Sequence, residues 1–239
     1  MENPITHTKN PIYVGGSVIG MKFSKGIIIA SDTRVNYGSL AKLMNVHDRV
    51  TTVNQSTVIS STGEYSDFQE VVRLLKEKTL EDDLNPVSYL GPDELANYLS
   101  AMHYHRRNKM NPFWNHTIIG GLNSKNKPTL YSIDQFGTIL KGDYMLAGMA
   151  QYFCNAILHP KYPGNYETLE RDQALFLIED CFRTLFYRDT RAGNQIKYGI
   201  LFEENGQVKY EEIVRELKSN WDYERFLKQA NEKIYMENY

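Results

Sequence analysis

The order of patterned segments predicts an α+β fold, a four-layer αββα sandwich with two antiparallel sheets flanked by helices. Strand-like segments come in pairs joined by short turns, helical segments also come in pairs, and the helix pairs separate the groups of strands. An amphipathic strand and an amphipathic helix must each bury one face. Two sheets packed together, with helices outside each, bury both kinds of face in one domain.

The chain divides into an arm, a domain and an extension. Residues 1–15 are expected to form an irregular N-terminal arm, since Pro4 and Pro11 oppose regular structure. Residues 16–215 contain the patterned segments and are expected to form the αββα domain. Residues 216–239 follow the last predicted strand, are polar with isolated aromatics, and are expected to form a C-terminal extension.

Apolar patterning predicts the strands. Ile19, Met21 and Phe23 share one face of a strand, and a turn at 24–26 leads into a buried strand at 27–30. The same patterning predicts further strands at 49–53, 57–61, 116–122, 130–133, 138–144, 196–202 and 208–214.

Helices are predicted where apolar residues recur at helical spacing. One helix is expected to start near Gly148 and to stop before Pro160, and another begins at Pro92, which suits a first helical turn. Three apolar stripes define the buried faces of the longer helices: Phe68, Val71, Val72 and Leu75; Leu95, Tyr98, Leu99 and Met102; Ala174, Leu177, Ile178, Cys181, Phe182 and Leu185.

The bulk properties exclude several classes of protein. The 239 residues are 41% hydrophobic and 23% charged, which is ordinary for a folded domain, and the net charge of −2 gives no case for nucleic acid or an anionic membrane. No apolar run reaches the ~20 residues of a membrane span, and no secretory signal is visible. Two cysteines, Cys154 and Cys181, are expected to be buried thiols. We therefore expect the protein in a reducing compartment, the cytoplasm or the nucleus.

A metal-binding module is a poor alternative. His103 and His105 are two positions apart on a predicted helix and point about 200° apart, so they do not converge with His116 on one ion. No cysteine or carboxylate set completes a ligand cluster. Neither a metal nor another cofactor is expected.

Three segments carry a resemblance to a known family. GGSVIGMKF at 15–23 and KGIIIASDTR at 25–34 resemble the opening of proteasome beta subunits, and the similarity extends over about residues 12–214. The segment YHRRNKMNPFWN at 104–115 resembles a branch of that family whose members are non-catalytic. The resemblance implies the N-terminal-nucleophile hydrolase fold, which is an αββα sandwich.

The resemblance places Gly16 where active relatives have a threonine, whose hydroxyl attacks the peptide carbonyl. Glycine has no side-chain oxygen and supplies no attacking atom. An acid that helps to fix a lysine matches Asp32, and counting from Asp32 places the lysine position at Asp48. An aspartate there would disfavour an anionic nucleophile or oxyanion.

The remaining active positions are also altered. Met149 stands near the place of a proton-relaying serine and has no proton to relay. Asp189 matches a second acid, and Ala192 stands in place of a nearby serine. We interpret Asp32 and Asp189 as acids that brace nearby backbone, because they have no nucleophile to activate.

The resemblance implies a non-catalytic structural beta subunit of the 20S proteasome core particle, which supports ring assembly and ubiquitin-dependent protein degradation by the complex. Its partners would be other proteasome beta and alpha subunits in stacked seven-membered rings, and the C-terminal extension would reach the opposite beta ring. The interface candidates are Arg106, Arg107, Trp114, Trp221, Tyr223, Phe226, Tyr235 and Tyr239.

The competing hypothesis is an enzyme, a threonine-type peptidase subunit of the same fold with an atypical nucleophile. Ser17 is the hydroxyl nearest to Gly16. It would have to become a new N-terminus, and no lysine stands ready to activate it.

Overall fold

The computed structural model describes residues 13–38, 41–83 and 90–218. Within these ranges the predicted groups of strands and helices occur in the predicted order, together with strands at 13–15, 35–37 and 41–43 that the sequence analysis did not predict. The strands are β1 (Tyr13–Gly15), β2 (Val18–Phe23), β3 (Gly26–Asp32), β4 (Val35–Tyr37), β5 (Ala41–Leu43), β6 (Val50–Asn54), β7 (Thr57–Glu64), β8 (Asn115–Leu122), β9 (Pro128–Ile133), β10 (Ile139–Lys141), β11 (Tyr144–Ala147), β12 (Gln195–Glu204) and β13 (Gln207–Glu216). The helices are α1 (Tyr65–Asp83), α2 (Pro92–Asn108), α3 (Ala150–Phe153), α4 (Asn155–Lys161) and α5 (Arg171–Arg188).

The strands form two antiparallel sheets. The first sheet has the order β10-β9-β8-β7-β1-β4-β5. The strand β6 pairs with the first residues of β7, and β1 pairs with its last two. The second sheet has the order β11-β2-β3-β12-β13. The predicted fold class, two antiparallel sheets flanked by helices, is confirmed.

Three clusters of buried apolar residues correspond to the three interfaces of a four-layer sandwich. In β3, Ile27 and Ile29 belong to the cluster between the sheets, whereas Ile28 and Ala30 face the helices α3, α4 and α5. The third cluster lies between the first sheet and the helices α1 and α2. Strand alternation therefore divides neighbouring residues between two interfaces, as the predicted architecture requires.

The two sheets approach each other closely where β2 carries a glycine. A Cβ on Gly20 would lie 2.8 Å from Cγ2 of Ile118 in β8 and 3.0 Å from Cδ1 of Leu130 in β9. Such contacts are shorter than packed carbon atoms tolerate. The missing side chain lets the branched residues of the first sheet rest directly on the β2 backbone.

Several local predictions are wrong. The last three residues assigned to the N-terminal arm form β1, an inner strand that hydrogen-bonds to both β4 and β7. The single strand predicted at 138–144 is two strands in different sheets, β10 and β11, because the chain crosses between sheets at Gly142 and Asp143. Tyr98, which the apolar stripe of α2 placed in the core, is 39% exposed, and His103 is buried on that face instead.

The helix predicted between Gly148 and Pro160 is also interrupted. It divides into α3 and α4 at Cys154, and α4 continues one residue past Pro160. Proline has no N–H, and its ring crowds the carbonyl of the residue four positions earlier, so the helix ends soon after Pro160 and not before it. In the described residues, no helix combines the length and the apolar character that crossing a membrane would need.

Candidate functional site

The residues that the sequence singles out around position 16 come together at one end of the sandwich. Gly16 lies in the link between β1 and β2 and lines a cleft of about 320 Å³. Ser17, Met149 and Asp189 line the same cleft, as does His116 from β8. The first strands of both sheets and the segments that precede α3 and follow α5 thus build the site.

Asp32, the last residue of β3, is buried beneath Gly16. Its side chain is 1% exposed, its Oδ2 accepts the backbone N–H of Gly193 at 2.9 Å, and its Oδ1 accepts a hydrogen bond from the Arg49 guanidinium. Burial raises the pKa of Asp32, while the Arg49 charge and the Gly193 N–H act in the opposite direction. The carboxylate of Asp32 is therefore fixed through both oxygens, one by the backbone of Gly193 and the other by the side chain of Arg49.

Arg49 connects segments of both sheets. Its Nη1 donates to the backbone oxygens of Asp32 at 2.5 Å and Arg34 at 3.3 Å, and its Nη2 donates to those of Gly16 at 3.0 Å and Ser61 at 3.4 Å. Its side chain is 1% exposed. One guanidinium thus satisfies carbonyls beside β1, β3 and β7. A lysine ammonium, whose three donors share one nitrogen, could not reach acceptors in this planar arrangement.

The structure corrects the expectation for Asp48. That residue is exposed and does not point at Asp32; the neighbouring Arg49 takes the cationic position instead. The count from Asp32 crosses a turn, where one residue of difference turns a side chain from solvent to core. A charge opposite to that of Asp32, one position further along, is the sequence signal that identifies Arg49. A second carboxylate in this buried place would have left Asp32 without a counter-charge.

The space beside Gly16 is already filled. A Cβ at this position would lie 2.7 Å from Oδ1 and 2.9 Å from Oδ2 of Asp32, and a Cβ on Gly15 would lie 2.9 Å from Nε of Arg49. The adjacent hydroxyl is also engaged: Ser17 is 3% exposed, and its Oγ accepts the backbone N–H of Ala150 at 3.1 Å. The buried ion pair occupies the volume that a side chain on residue 16 would need.

The other predicted positions form the wall of the site. Met149 is partly buried and contacts the core cluster of the second sheet, which also contains Ala192. Asp189 follows the last residue of α5, and its Oδ1 accepts the backbone N–H of Arg191 at 3.0 Å. Together with the bond from Gly193 to Asp32, this hydrogen bond braces the loop after α5, consistent with the interpretation of both acids as braces.

His116 is a cleft residue whose hydrogen bonds the sequence did not predict. Its Nδ1 lies 3.1 Å from Nε2 of Gln151, an amide nitrogen that also donates to the backbone oxygen of Leu146 at 3.1 Å. The Nδ1 atom therefore accepts, and Nε2–H donates to Oγ of Ser132 at 2.6 Å. In this tautomer the imidazole has no free lone pair with which to activate a hydroxyl. Burial lowers the pKa of His116.

No group of three or more potential metal ligands occurs in the described parts of the chain. His103 is buried in α2, where its Nδ1 lies 2.9 Å from the backbone oxygen of Asp134, and burial lowers its pKa. His105 is exposed on the same helix. The three histidines considered as ligands thus have separate environments.

The interface candidates differ in their surroundings. The Arg106 guanidinium stacks at 4.3 Å on the ring of buried Phe113, whereas Arg107 is exposed. Trp114 is partly buried, and its backbone N–H donates to Oδ2 of Asp67 at 2.9 Å. The remaining candidates lie outside the described residues: Trp221, Tyr223, Phe226, Tyr235 and Tyr239.

Comparison with known proteins gives a consistent family. The model of the proteasome family, described as "Proteasome subunit", matches residues 12–201. "Proteasome subunit beta type-4" of Xenopus laevis is 31% identical over 86% of this chain and 84% of its own length, and the Arabidopsis thaliana protein of that name is 32% identical over 94% and 89%. "Proteasome subunit beta type-7" of Saccharomyces cerevisiae is 30% identical over 95% and 87%.

These matches confirm the resemblance seen in the sequence. The branch that the segment at 104–115 resembles is that of the beta type-4 subunits, and relatives of that name match most of the chain. The matched residues include the link at Gly16, both sheets through β11, and the helices α1 to α5. This chain belongs to the proteasome subunit family, and its relatives are named as beta subunits.

Proposed function

We propose that this chain is a non-catalytic beta subunit of the 20S proteasome core particle. It would support assembly of the beta ring and, through the complex, ubiquitin-dependent protein degradation. The observation that carries the proposal is the occupied space at Gly16, where a Cβ would lie 2.7 Å from a buried carboxylate oxygen. An attacking hydroxyl requires a side chain at this point, and both the residue and the room for it are missing.

The chemistry around Gly16 supports the same conclusion. The two terminal nitrogens of Arg49 are committed to Asp32 and to four backbone oxygens, and its Nε is buried, so the guanidinium does not aim a donor at a substrate carbonyl. Met149 and Ala192 have no exchangeable side-chain proton. Groups that act as a unit in catalysis lose their function together when the nucleophile is lost.

The proposed partners are the alpha and beta subunits of a particle with stacked seven-membered rings. Large apolar side chains remain exposed on the surface, including Tyr152 at 77% and Phe176 at 63%, and aromatic residues are common interface anchors. We also propose that the extension at 216–239 reaches the opposite beta ring, and that the protein is found in the cytoplasm and nucleus. Truncation after Ser219 should reduce the yield of complete core particles; an unchanged yield would contradict the proposed role of the extension.

Native core particles give the main test. Particles isolated through a tag on this chain are incubated with a covalent inhibitor that modifies N-terminal threonines, and the mass of every subunit is measured. The expected result is adducts on neighbouring beta subunits and none on this chain, which makes the neighbours an internal control for the probe. An adduct on this chain, or a tagged chain that is found without other proteasome subunits, would refute the proposal.

The alternative, a peptidase with Ser17 as nucleophile, has little support in the geometry. The Ser17 hydroxyl is buried and accepts a hydrogen bond from the backbone of α3. An N-terminal nucleophile also needs a free amine, and β1 precedes it in the middle of the first sheet.

A further inference from the structure

The C-terminal end of α2 presents a cation between two exposed aromatic rings. The guanidinium carbon of Arg107 lies 5.8 Å from the ring centroid of Tyr104 and 5.5 Å from that of Phe136. Tyr104 is 55% exposed and Phe136 is 49% exposed. We call these three side chains the Arg107 patch. Rings at such distances hold a guanidinium by cation–π attraction and leave its edge open to a partner.

The patch is preorganised by the turn between β9 and β10. The Oδ1 atom of Asp134 accepts the backbone N–H groups of Phe136 and Thr138, both at 2.8 Å. The hydroxyl of Ser100 in α2 donates to the oxygen of Gly137 at 2.6 Å. Gly137 has φ of 86°, and a Cβ there would lie 2.7 Å from the backbone oxygen of Ser100, so glycine allows the turn to rest on α2. These hydrogen bonds thus fix the position of the Phe136 backbone relative to α2.

No acid in the described parts of the chain neutralises the charge of the patch. Within the described residues, Arg107 forms no ion pair, in contrast to Arg73 on α1, which pairs with Glu70 and Glu77. The carboxylate of Asp134, the acid of the adjoining turn, accepts two backbone N–H groups. Cations are favourable at a helix C-terminus, but that effect gives no reason for two large aromatic side chains to stay exposed beside them.

We propose that the Arg107 patch binds an acidic segment of a neighbouring subunit. A carboxylate would take both parallel donors of the Arg107 fork, and an apolar side chain beside that carboxylate would pack on Phe136. Arginine and aromatic residues dominate binding energy at interfaces, and a patch that is already ordered loses little entropy on binding. This inference rests on the proposed function, since it concerns how the subunit contacts its ring partners.

A nucleic acid fits the patch less well than an acidic protein segment. Binding to a phosphate backbone uses a row of cations, each neutralising one phosphate. Here one guanidinium is framed by the rings, and the chain has a net charge of −2. A protein segment with one or two carboxylates matches this single framed charge.

The test places a photo-crosslinking benzophenone amino acid at Phe136 in the full chain and maps its cross-links within native particles by mass spectrometry. The expected cross-link falls beside an acidic segment of another subunit. In parallel, Arg107→Glu and a matched control, Lys125→Glu in the exposed turn between β8 and β9, are expressed in competition with the unaltered chain. Arg107→Glu should lower incorporation into particles about tenfold and Lys125→Glu should leave it unchanged. Arg107→Gln should have a smaller effect.

Charge reversal of the mapped acid should restore incorporation of Arg107→Glu, an outcome that a purely structural role of Arg107 would not produce. Incorporation of Arg107→Glu equal to that of the control, or cross-links only to nucleic acid or to no subunit, would overturn the patch while leaving the proposed function intact. If the unaltered chain enters no particle, both proposals fail.

Discussion

Replacing Gly16 by alanine tests whether the buried ion pair fills the space beside it. The added Cβ would lie 2.7 Å and 2.9 Å from the two carboxylate oxygens of Asp32. Asp32 cannot simply turn away, since Gly193 and Arg49 hold its two oxygens. Inserting a methyl group into a packed site of this kind costs about 1–3 kcal/mol. At roughly 2–4 °C per kcal/mol for a chain of this size, the unfolding midpoint should fall by roughly 2–12 °C.

The matched control for this variant is Gly142→Ala. A Cβ on Gly142 would meet only the terminal methyl of Met145 closely, at 2.7 Å, and that flexible end can rotate away. Neither Gly16 nor Gly142 has a positive φ, so both variants gain the same roughly 0.4–1 kcal/mol from a stiffer unfolded chain. The difference between the two variants therefore isolates the contact with Asp32.

The assay is thermal unfolding of the purified full chain, followed by circular dichroism, with denaturant unfolding to obtain the free energy. If Gly16→Ala is as stable as Gly142→Ala, the carboxylate does not fill this space, and the principal support for the proposed loss of activity is removed. Gly16→Thr should be at least as destabilised and should remain unlabelled by a threonine-directed inhibitor in assembled particles.

Three further predictions concern the buried pair, acid stability and processing. Arg49→Met should lower the free energy of unfolding by about 3–5 kcal/mol, because Asp32 keeps a buried charge without its partner. The double variant, Arg49→Met with Asp32→Asn, should recover part of the lost stability. A loss below about 1 kcal/mol for Arg49→Met in denaturant unfolding would contradict this reasoning. Burial lowers the pKa of His103 in the folded protein. As the pH falls below about 6.5, the unfolded chain therefore binds a proton at this residue before the folded protein does. The stability that is present above pH about 6.5 should then decline as the pH falls toward the folded-state pKa. The decline between pH 7.5 and 5.5 should be smaller in His103→Asn, and equal declines would refute the assignment. The intact mass of the chain from native particles should show no cleavage between Gly15 and Gly16, and a chain that begins at Gly16 without the action of another protease would count against the missing nucleophile.

The sequence predicts most of the fold because its main elements are long and regular. The stripe of α5 consists of residues that are all buried in the structure, and the last hairpin occurs where the alternation placed it. The failures occur where tertiary contacts decide. The alternation of apolar and polar residues at 138–144 does not indicate that the chain leaves one sheet at Gly142 and joins the other. Likewise, no local pattern predicts the break at Cys154, where α3 and α4 both contact α5.

The site is predicted less completely than the fold. Gly16 and Asp32 could be located because short, distinctive segments surround them, and the structure brings them within contact distance. Arg49 was missed because its partner lies 17 residues away, and its orientation is decided by the turn before β6. The hydrogen bonds of His116 join β8, β9 and α3, three elements whose mutual placement no local pattern contains.

The pairing of β1 has a consequence for the peptide bond between Gly15 and Gly16. Gly15 is in register with Val35 on one side and with Gly63 on the other. A protease accepts its substrate as an unpaired, extended segment, so an outside enzyme could reach this bond only after β1 had been pulled from between two neighbours. We therefore expect trimming at this point to be far slower once the sandwich has closed, and the residues before Gly16 to stay covalently joined to the folded subunit.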